Sequence, residues 1–378
     1  MEIKPTSVVV ALSGGVDSSL AAALLMQAGW EVQGLHFNLP APEKKKREKL
    51  SLVRKVAEHL GISLSVLDLE DAFIQKVVEP FRRAYLKGMT PNPCVGCNPV
   101  IKFQELLRFS DDHEIDRLAT GHYARLRGEG TKGVSLWRGK DTRKEQSYFL
   151  HRLDLRHLSR ALFPLAEMTK PEVRRLAVEL GLPTKEEPES QEICFLGDRD
   201  YRSFLEQEEG RKIIEKGSIV DGEGHKVGEH MGTYRYTIGQ RHGLGIASPR
   251  PYYVMALIPE KNLVVVGRKE DLFSSHVEMT SFHWIGGMLP RTPVRVMAQI
   301  RYRHEPAPGR LEVLAGGEAC FDFEEAQWGV TPGQALVCYE GGRVLGGGWI
   351  AKAEDGGQRT EDRRRRAEDR GRRAEGGR

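Results

Sequence analysis

Five apolar residues, Val8-Val9-Val10-Ala11-Leu12, run directly into Ser13-Gly14-Gly15-Val16-Asp17-Ser18-Ser19 and then into an alanine- and leucine-rich stretch. Few folds accept that order. A short β-branched run without alternation suits a strand buried on both faces, and such strands belong to parallel sheets covered by helices. Ser18 to Ala28 predicts a helix with Gly29 placed to cap it. The pattern then repeats, with a strand at Glu31 to Phe37, a charged amphipathic helix from about Glu43 to Leu60 stopped by Gly61, and a strand at Ile62 to Leu69. A helix from Asp71 to Lys87 follows, expected to bend at Pro80, and then a short strand at Arg117 to Thr120. Thr169-Lys170-Pro171-Glu172 reads as a capping box with proline in the first turn, opening a helix that ends at Gly181. This alternation predicts an α/β fold with a doubly wound, Rossmann-like parallel sheet.

The texture changes after about residue 207. Glycine and proline now punctuate short β-rich runs, at Tyr252 to Leu257, Leu263 to Val266, Val294 to Tyr302, Glu318 to Phe323 and Ala335 to Tyr339. At 378 residues the chain exceeds one ordinary core. The expected division is a catalytic α/β domain at 1–207, a small central β-rich domain at 208–274 and a C-terminal β-barrel domain at 275–352. Residues 353–378 are almost all Arg, Glu, Asp and Gly, too poor in apolar surface to offset ordering entropy, and are expected to form a disordered tail.

A net charge of only +4 means that any nucleic-acid surface must be a local patch. Neither a signal-peptide pattern nor a membrane-spanning apolar run is present in the sequence, so a cytoplasmic, monomeric enzyme without membrane association is the expectation. Five cysteines in such a chain are no disulfide framework; at close spacing they suggest metal or catalytic chemistry.

The Ser-Gly-Gly turn between strand and helix is a physical anion site. Glycines let phosphate approach the backbone, and the unpaired N–H groups and dipole of the helix start favour negative charge. Ser13 and Ser18 add hydroxyls, and Asp17 is placed to hold Mg2+ or to orient the loop. The Gly-Lys-Ser/Thr of a Walker loop is absent. The motif resembles that of PP-loop ATP pyrophosphatases, which cleave between the α- and β-phosphates and leave AMP on a substrate oxygen.

Cys94 and Cys97 lie in Thr90-Pro91-Asn92-Pro93-Cys94-Val95-Gly96-Cys97-Asn98, read as a constrained, extended loop leading into a helix from about Pro99. A helix start nearby favours thiolate. Cys194 sits in Gln191-Glu192-Ile193-Cys194-Phe195, on another polar connection, and the three thiols could meet at the carboxyl edge of the sheet. Cys320 and Cys338 fall within apolar strand patterns and read as small core residues. Structural zinc would want a second pair of ligands, and none follows.

These segments, with Ala119-Thr120-Gly121-His122-Tyr123-Ala124, Gln146-Ser147-Tyr148-Phe149-Leu150, Tyr236-Thr237-Ile238-Gly239-Gln240-Arg241, Arg301-Tyr302-Arg303, Thr331-Pro332-Gly333-Gln334 and Gly346-Gly347-Gly348, resemble the tRNA-specific 2-thiouridylase family from residue 8 to about 350. The resemblance implies ATP-dependent adenylation of the C2 oxygen of a wobble uridine, then sulfur transfer giving 2-thiouridine, AMP and pyrophosphate. It implies ATP on Ala11, Leu12, Ser13, Gly14, Gly15, Val16, Asp17 and Ser18, with Phe37 and Gly121 nearby. It makes Cys97 the nucleophile and Cys194 the persulfide carrier, the two closing a disulfide. Asn92, Pro93 and Cys94 would face the target base, and His122, Lys144, Glu145, Gln146, Arg301, Tyr302 and Gln334 would contact tRNA. The partners implied are a tRNA with a modifiable wobble uridine and a persulfide donor or relay protein.

Position 94 is an aspartate in many members of that family. Cys94 puts a carboxylate's role there in doubt and opens a second reading, a 4Fe-4S cluster on Cys94, Cys97 and Cys194 with one open iron. The segment Asn38 to Lys46 is also shorter and more basic than the family's usual acidic insertion, fitting either a solvated helix start or a phosphate contact. Two other classes stand beside these: a PP-loop synthetase acting on a small metabolite, and a non-catalytic RNA-binding module built on the β domains.

Overall fold

The computed structural model describes residues 6–128, 133–187, 193–197, 199–285, 289 and 293–354. Gln191, Glu192 and the expected tail beyond residue 354 lie outside that set. Five parallel strands, in the order β3-β2-β1-β4-β7, form the first sheet: β1 (Ser7–Ala11), β2 (Glu31–Asn38), β3 (Ser63–Asp68), β4 (Arg117–Ala119) and β7 (Ala161–Leu162). Val8, Val9 and Val10 of the central β1 are fully buried, which accounts for their lack of alternation. Burying such a side chain stabilises the fold by roughly 1.5–3 kcal/mol.

Helix α1 (Val16–Gln27) leaves β1 through the Ser-Gly-Gly turn, and α2 (Glu43–Leu60) ends on Gly61 in the left-handed conformation. Short α3 (Glu70–Phe73) continues through a π turn at Ile74–Val78 into α4 (Glu79–Leu86). That π turn precedes Pro80, which lacks the N–H an α-helix would use there; the ladder widens instead of breaking.

The cysteine segment departs from the extended loop expected of it. Pro93 occupies the first turn of α5 (Pro93–Cys97), where its fixed φ starts a helix and its missing N–H costs nothing. A second π turn, Asn98–Lys102, carries the chain past Pro99 into α6 (Phe103–Asp112). Cys94 and Cys97 are therefore helical residues. Helices α7 (Ser147–Leu150), α8 (Leu155–Arg160) and α9 (Lys170–Glu179) complete this part, with the Thr169–Glu172 capping box formed as its sequence predicts.

After α10 (Tyr201–Glu209), strands β8 (Lys216–Val220), β9 (Lys226–Met231), β10 (Tyr253–Ile258) and β11 (Leu263–Gly267) make a four-stranded sheet in the order β10-β11-β8-β9. Then β12 (Phe273–Trp284), β13 (Val294–Gln299), β14 (Ala307–Val313), β15 (Ala319–Trp328), β16 (Ala335–Glu340) and β17 (Arg343–Glu354) form an antiparallel barrel, closed by the pairing of β12 with β17. Cys320 and Cys338 are buried in its wall.

One junction has no counterpart in the sequence pattern. The hairpin β5 (Ala124–Gly128) and β6 (Val134–Arg138) joins the barrel, not the parallel sheet, with Trp137 opposite Arg343 of β17. Leu136, Tyr339 and Val344 share one core with Val9, Leu35 and Val95. The first sheet and the barrel are thus packed through common residues.

Candidate active site

The turn after β1 is held by its own hydroxyls. Ser13 donates its N–H to Ser18 Oγ at 3.2 Å, while the Ser18 and Ser19 hydroxyls donate to the Gly15 carbonyl at 3.1 and 3.0 Å. Gly14 adopts φ +78°, open to glycine at little cost. A Cβ on Gly121 would stand 2.7–2.9 Å from the backbone of Asp17 and Ser18, so glycine lets the β4 edge close on the turn.

Asp17 is committed inside the protein. Lys170 Nζ donates to Oδ1 at 2.6 Å and Oδ2 at 2.7 Å, and the Tyr123 hydroxyl donates to Oδ1 at 2.7 Å. Of its two expected roles, this arrangement suits orienting the loop. A carboxylate with both oxygens on an ammonium does not fit as a Mg2+ ligand.

This turn opens on a cavity of about 1090 Å³. Ala11, Leu12, Ser13, Gly14, Asp17, Ser18, Phe37 and Gly121 line it, whereas Gly15 and Val16 do not. Cys194 lines the same cavity, as do His122 and Gln146. Several cavity residues lie outside the set inferred from motifs: His36, Lys49, Lys55 and Lys102, with Lys45 and Lys46 from the basic segment. The stem of Lys49 packs on Gly14, and Lys46 is ion-paired with Glu70. The signal for this wall was the run of lysines from residue 44 on an amphipathic helix, which says nothing by itself about which face turns inward.

Two histidines of the cavity wall are held toward their neutral form. Burial, then the Lys49 charge, lower the His36 pKa against its hydrogen bond to the Leu12 carbonyl, where Nδ1–H donates at 2.8 Å. His122 is held well below the ordinary histidine range, by burial first and Lys102 second. Lys102 Nζ donates to its Nε2 at 3.3 Å, so Nδ1–H donates to Thr120 Oγ1 at 2.7 Å.

Lys102 also faces the cysteines. Cys94 and Cys194 retain exposed surface and Cys97 is half-buried, yet protein crowds all three enough that burial dominates each thiol. The pKa of Cys94 is pushed up to about 11 and that of Cys97 to about 12; that of Cys194 is also raised. Lys102 lowers all three, and Lys49 additionally lowers that of Cys194. The expected thiolate-favouring effect of a helix start is outweighed by desolvation. Cys97 and Ile193 pack on one aromatic cluster containing Phe73, Phe81 and Phe195, which brings the two cysteine segments together. Asn92, Pro93, Cys94 and Cys97 do not line the cavity. Among the described residues no group of three or more His, Cys, Asp or Glu is arranged to hold a metal ion.

The barrel grips the cysteine segment from the other side. Gln334 Nε2 donates to the Thr90 carbonyl at 2.7 Å, and the Thr90 N–H donates to the Pro332 carbonyl at 2.9 Å. Asn98 Nδ2 donates to the Phe149 carbonyl at 3.0 Å, and the Phe149 ring lies 4.5 Å from that of Tyr302. Arg301 donates to the Trp328 carbonyl at 3.1 Å. The Lys144 and Glu145 N–H groups donate to the Asp141 carbonyl at 3.1 and 2.7 Å, and the Gln146 N–H donates to the Tyr123 carbonyl at 2.8 Å. Gln146 Oε1 accepts from the Tyr123 N–H, and buried Glu145 accepts from the N–H and hydroxyl of Ser147. The Glu145 carboxylate thus holds Ser147 at the start of α7.

Residues 6–198 match a family model described as the tRNA methyl transferase HUP domain, 202–268 the tRNA methyl transferase PRC-barrel domain, and 274–350 an aminomethyltransferase beta-barrel domain. The tRNA-specific 2-thiouridylase MnmA of Geobacter metallireducens is 47% identical over 358 residues, covering 92% of this chain and 97% of that one. The protein of the same description from Syntrophotalea carbinolica is 47% identical over 356 residues, covering 93% of this chain and 100% of that one. Among solved structures, a 4-thiouridine synthetase–RNA complex with bound ATP aligns at a TM-score of 0.34 and 16% identity, over 54% of this chain and 50% of that one, a likeness too slight to carry weight.

Proposed function

The chain belongs to the tRNA-specific 2-thiouridylase family, and from that premise we propose that it thiolates the wobble uridine of tRNA through a cysteine persulfide. It is an ATP-using tRNA sulfurtransferase. One observation supports the mechanism above the rest: the phosphate-binding turn and Cys194 line one cavity. Methyl transfer, which the family-model descriptions mention, has no use for a turn shaped to bind nucleoside triphosphate.

The C2 oxygen of uridine is a poor leaving group. Its attack on the α-phosphate of ATP releases pyrophosphate and leaves the oxygen as part of an AMP leaving group. The Cys97 thiolate then attacks the Sγ of persulfidated Cys194, closing a Cys97–Cys194 disulfide and expelling hydrosulfide. Hydrosulfide adds at C2, and AMP departs with the former carbonyl oxygen. Lys102 and Lys49 favour the anionic sulfur species. The remaining lysines of the α2 wall suit the phosphates of ATP or of the anticodon. Asn92, Pro93 and the barrel residues Arg301, Tyr302 and Gln334 would form the rim presented to a splayed base. Mg2+ would have to come with the nucleotide, since Asp17 is committed to Lys170. No step is drawn through an iron–sulfur cluster, because the three thiols do not form a ligand set.

The test is pyrophosphate release and nucleoside analysis with a tRNA transcript bearing a wobble uridine, ATP and glutathione persulfide. Wild type should release pyrophosphate only with tRNA and yield 2-thiouridine, and Cys194→Ala should yield none. Thiolation by Cys194→Ala, or pyrophosphate release driven by a small metabolite instead of tRNA, would overturn the reading.

A further inference from the structure

Cys94 has no part in the chemistry above, yet it stands beside it. Resting on the persulfide reading, we propose that Cys94 is a resolving thiol, which moves the disulfide left by each turnover from the ATP cavity to the protein surface.

The three thiols differ in place. Cys194 is exposed and lines the cavity, Cys97 is half-buried against the aromatic cluster shared with Ile193, and Cys94 is exposed outside the cavity lining. Cys94 and Cys97 are three residues apart on α5, hence on one helix face. Helical geometry sets their Cα atoms about 5 Å apart, within the range a disulfide spans. The helix itself is fixed from both ends, by Gln334 on Thr90 and by Asn98 on Phe149. The Cys94–Cys97 bond therefore forms with this helix held in place.

The step balances without a change in oxidation state. The Cys94 thiolate attacks Cys97 Sγ, the Cys97–Cys194 bond breaks, and Cys194 leaves as thiolate, free to accept the next persulfide. Its departure is the favoured direction, because Cys194 faces two ammonium groups, Lys102 and Lys49, whereas Cys94 faces Lys102 alone. A dithiol reductant from solution then reduces the Cys94–Cys97 disulfide, giving two thiols and its own disulfide. The cavity can retain tRNA or nucleotide while that happens.

The experiment uses the full chain loaded with glutathione persulfide and desalted, then given ATP and the tRNA transcript for one turnover. After acid quench and alkylation, peptide mapping of wild type should find the disulfide between Cys94 and Cys97 with Cys194 alkylated; in Cys94→Ser it should remain between Cys97 and Cys194. With excess persulfide and thioredoxin as the dithiol, later turnovers of Cys94→Ser should slow at least about tenfold relative to that variant's own first turnover. A wild-type disulfide that stays on Cys194, or an unchanged ratio of later to first turnovers in Cys94→Ser, overturns the relay. Loss of the first turnover in Cys94→Ser, with iron bound to wild type and absent from the variant, also overturns it by making Cys94 a ligand. If wild type thiolates no tRNA at all, or Cys194→Ser thiolates normally, the persulfide reading itself falls and the relay falls with it.

Discussion

Lys170, at the start of α9, holds both carboxylate oxygens of Asp17, at the start of α1. The pair ties the helix behind the phosphate turn to a helix more than 150 residues later. Removing one partner strands the other. Lys170→Met should destabilise the protein by about 1–3 kcal/mol, below the range for fully buried pairs because the Asp17 side chain keeps 29% exposure to water. Denaturant unfolding reads the loss, and adding Asp17→Asn should recover part of it. ATP affinity should fall in both variants.

Gly121→Ala tests the closure of the turn by sterics alone. The new methyl would meet backbone atoms of Asp17 and Ser18 under 3 Å away, which have nowhere flexible to go. A cost of about 1–3 kcal/mol is expected, with ATP binding by equilibrium titration weakened at least tenfold. Unchanged ATP affinity would mean that the turn is not the nucleotide site.

Gly333→Ala tests the barrel's grip on the cysteine helix. Gly333 has φ +90°, and its Cβ would stand 2.9–3.0 Å from Thr90 N and Met89 Cβ. Strain of about 1–3 kcal/mol follows, delivered to the segment leading into Cys94 and Cys97. Thiolation should drop by more than tenfold while ATP affinity changes by less than about threefold, a split that simple unfolding would not produce.

The pH dependence has a definite sign. Cys97, with its pKa pushed up to about 12, is almost wholly protonated at neutral pH, and only its thiolate attacks. Single-turnover sulfur transfer should rise close to tenfold per pH unit from 7 to 9 without a plateau. Lys102→Met should slow it at every pH in that range. Folding favours the protonated thiols, so their contribution to stability is complete below the ordinary thiol pKa and is lost as pH climbs toward 11 and 12. A transfer rate that levels off near pH 7 would contradict the burial of Cys97.

The parallel sheet was legible because β1, β2 and α1 obey local rules: β-branched runs, glycine caps and a phosphate turn all operate over a few residues. The same holds for the capping box at Thr169. The cysteine helix was not legible, because two nearby prolines usually signal extended chain, and a π turn absorbs Pro99 at no visible cost in sequence. Lys102, Lys49 and Lys55 escaped the sequence pattern for another reason. A lysine on an amphipathic helix reads as solvated, and only the closing of α2 over Gly14 and of the Asn98–Lys102 turn on His122 brings those charges inward. The partnership of β6 with β17 depends on residues two hundred positions apart, beyond any local pattern.

That partnership bears on how the chain is made. The β5–β6 hairpin leaves the ribosome early, but its outer edge meets Arg343 only when β17 has emerged, some ten to forty seconds later at about 5–20 residues per second. Until then a strand with unpaired amides waits in an otherwise assembled region, open to pairing with a neighbouring nascent chain. Ribosomes crowded on one message should therefore favour exchange of this hairpin between chains, a hazard written into the order in which the strands are born.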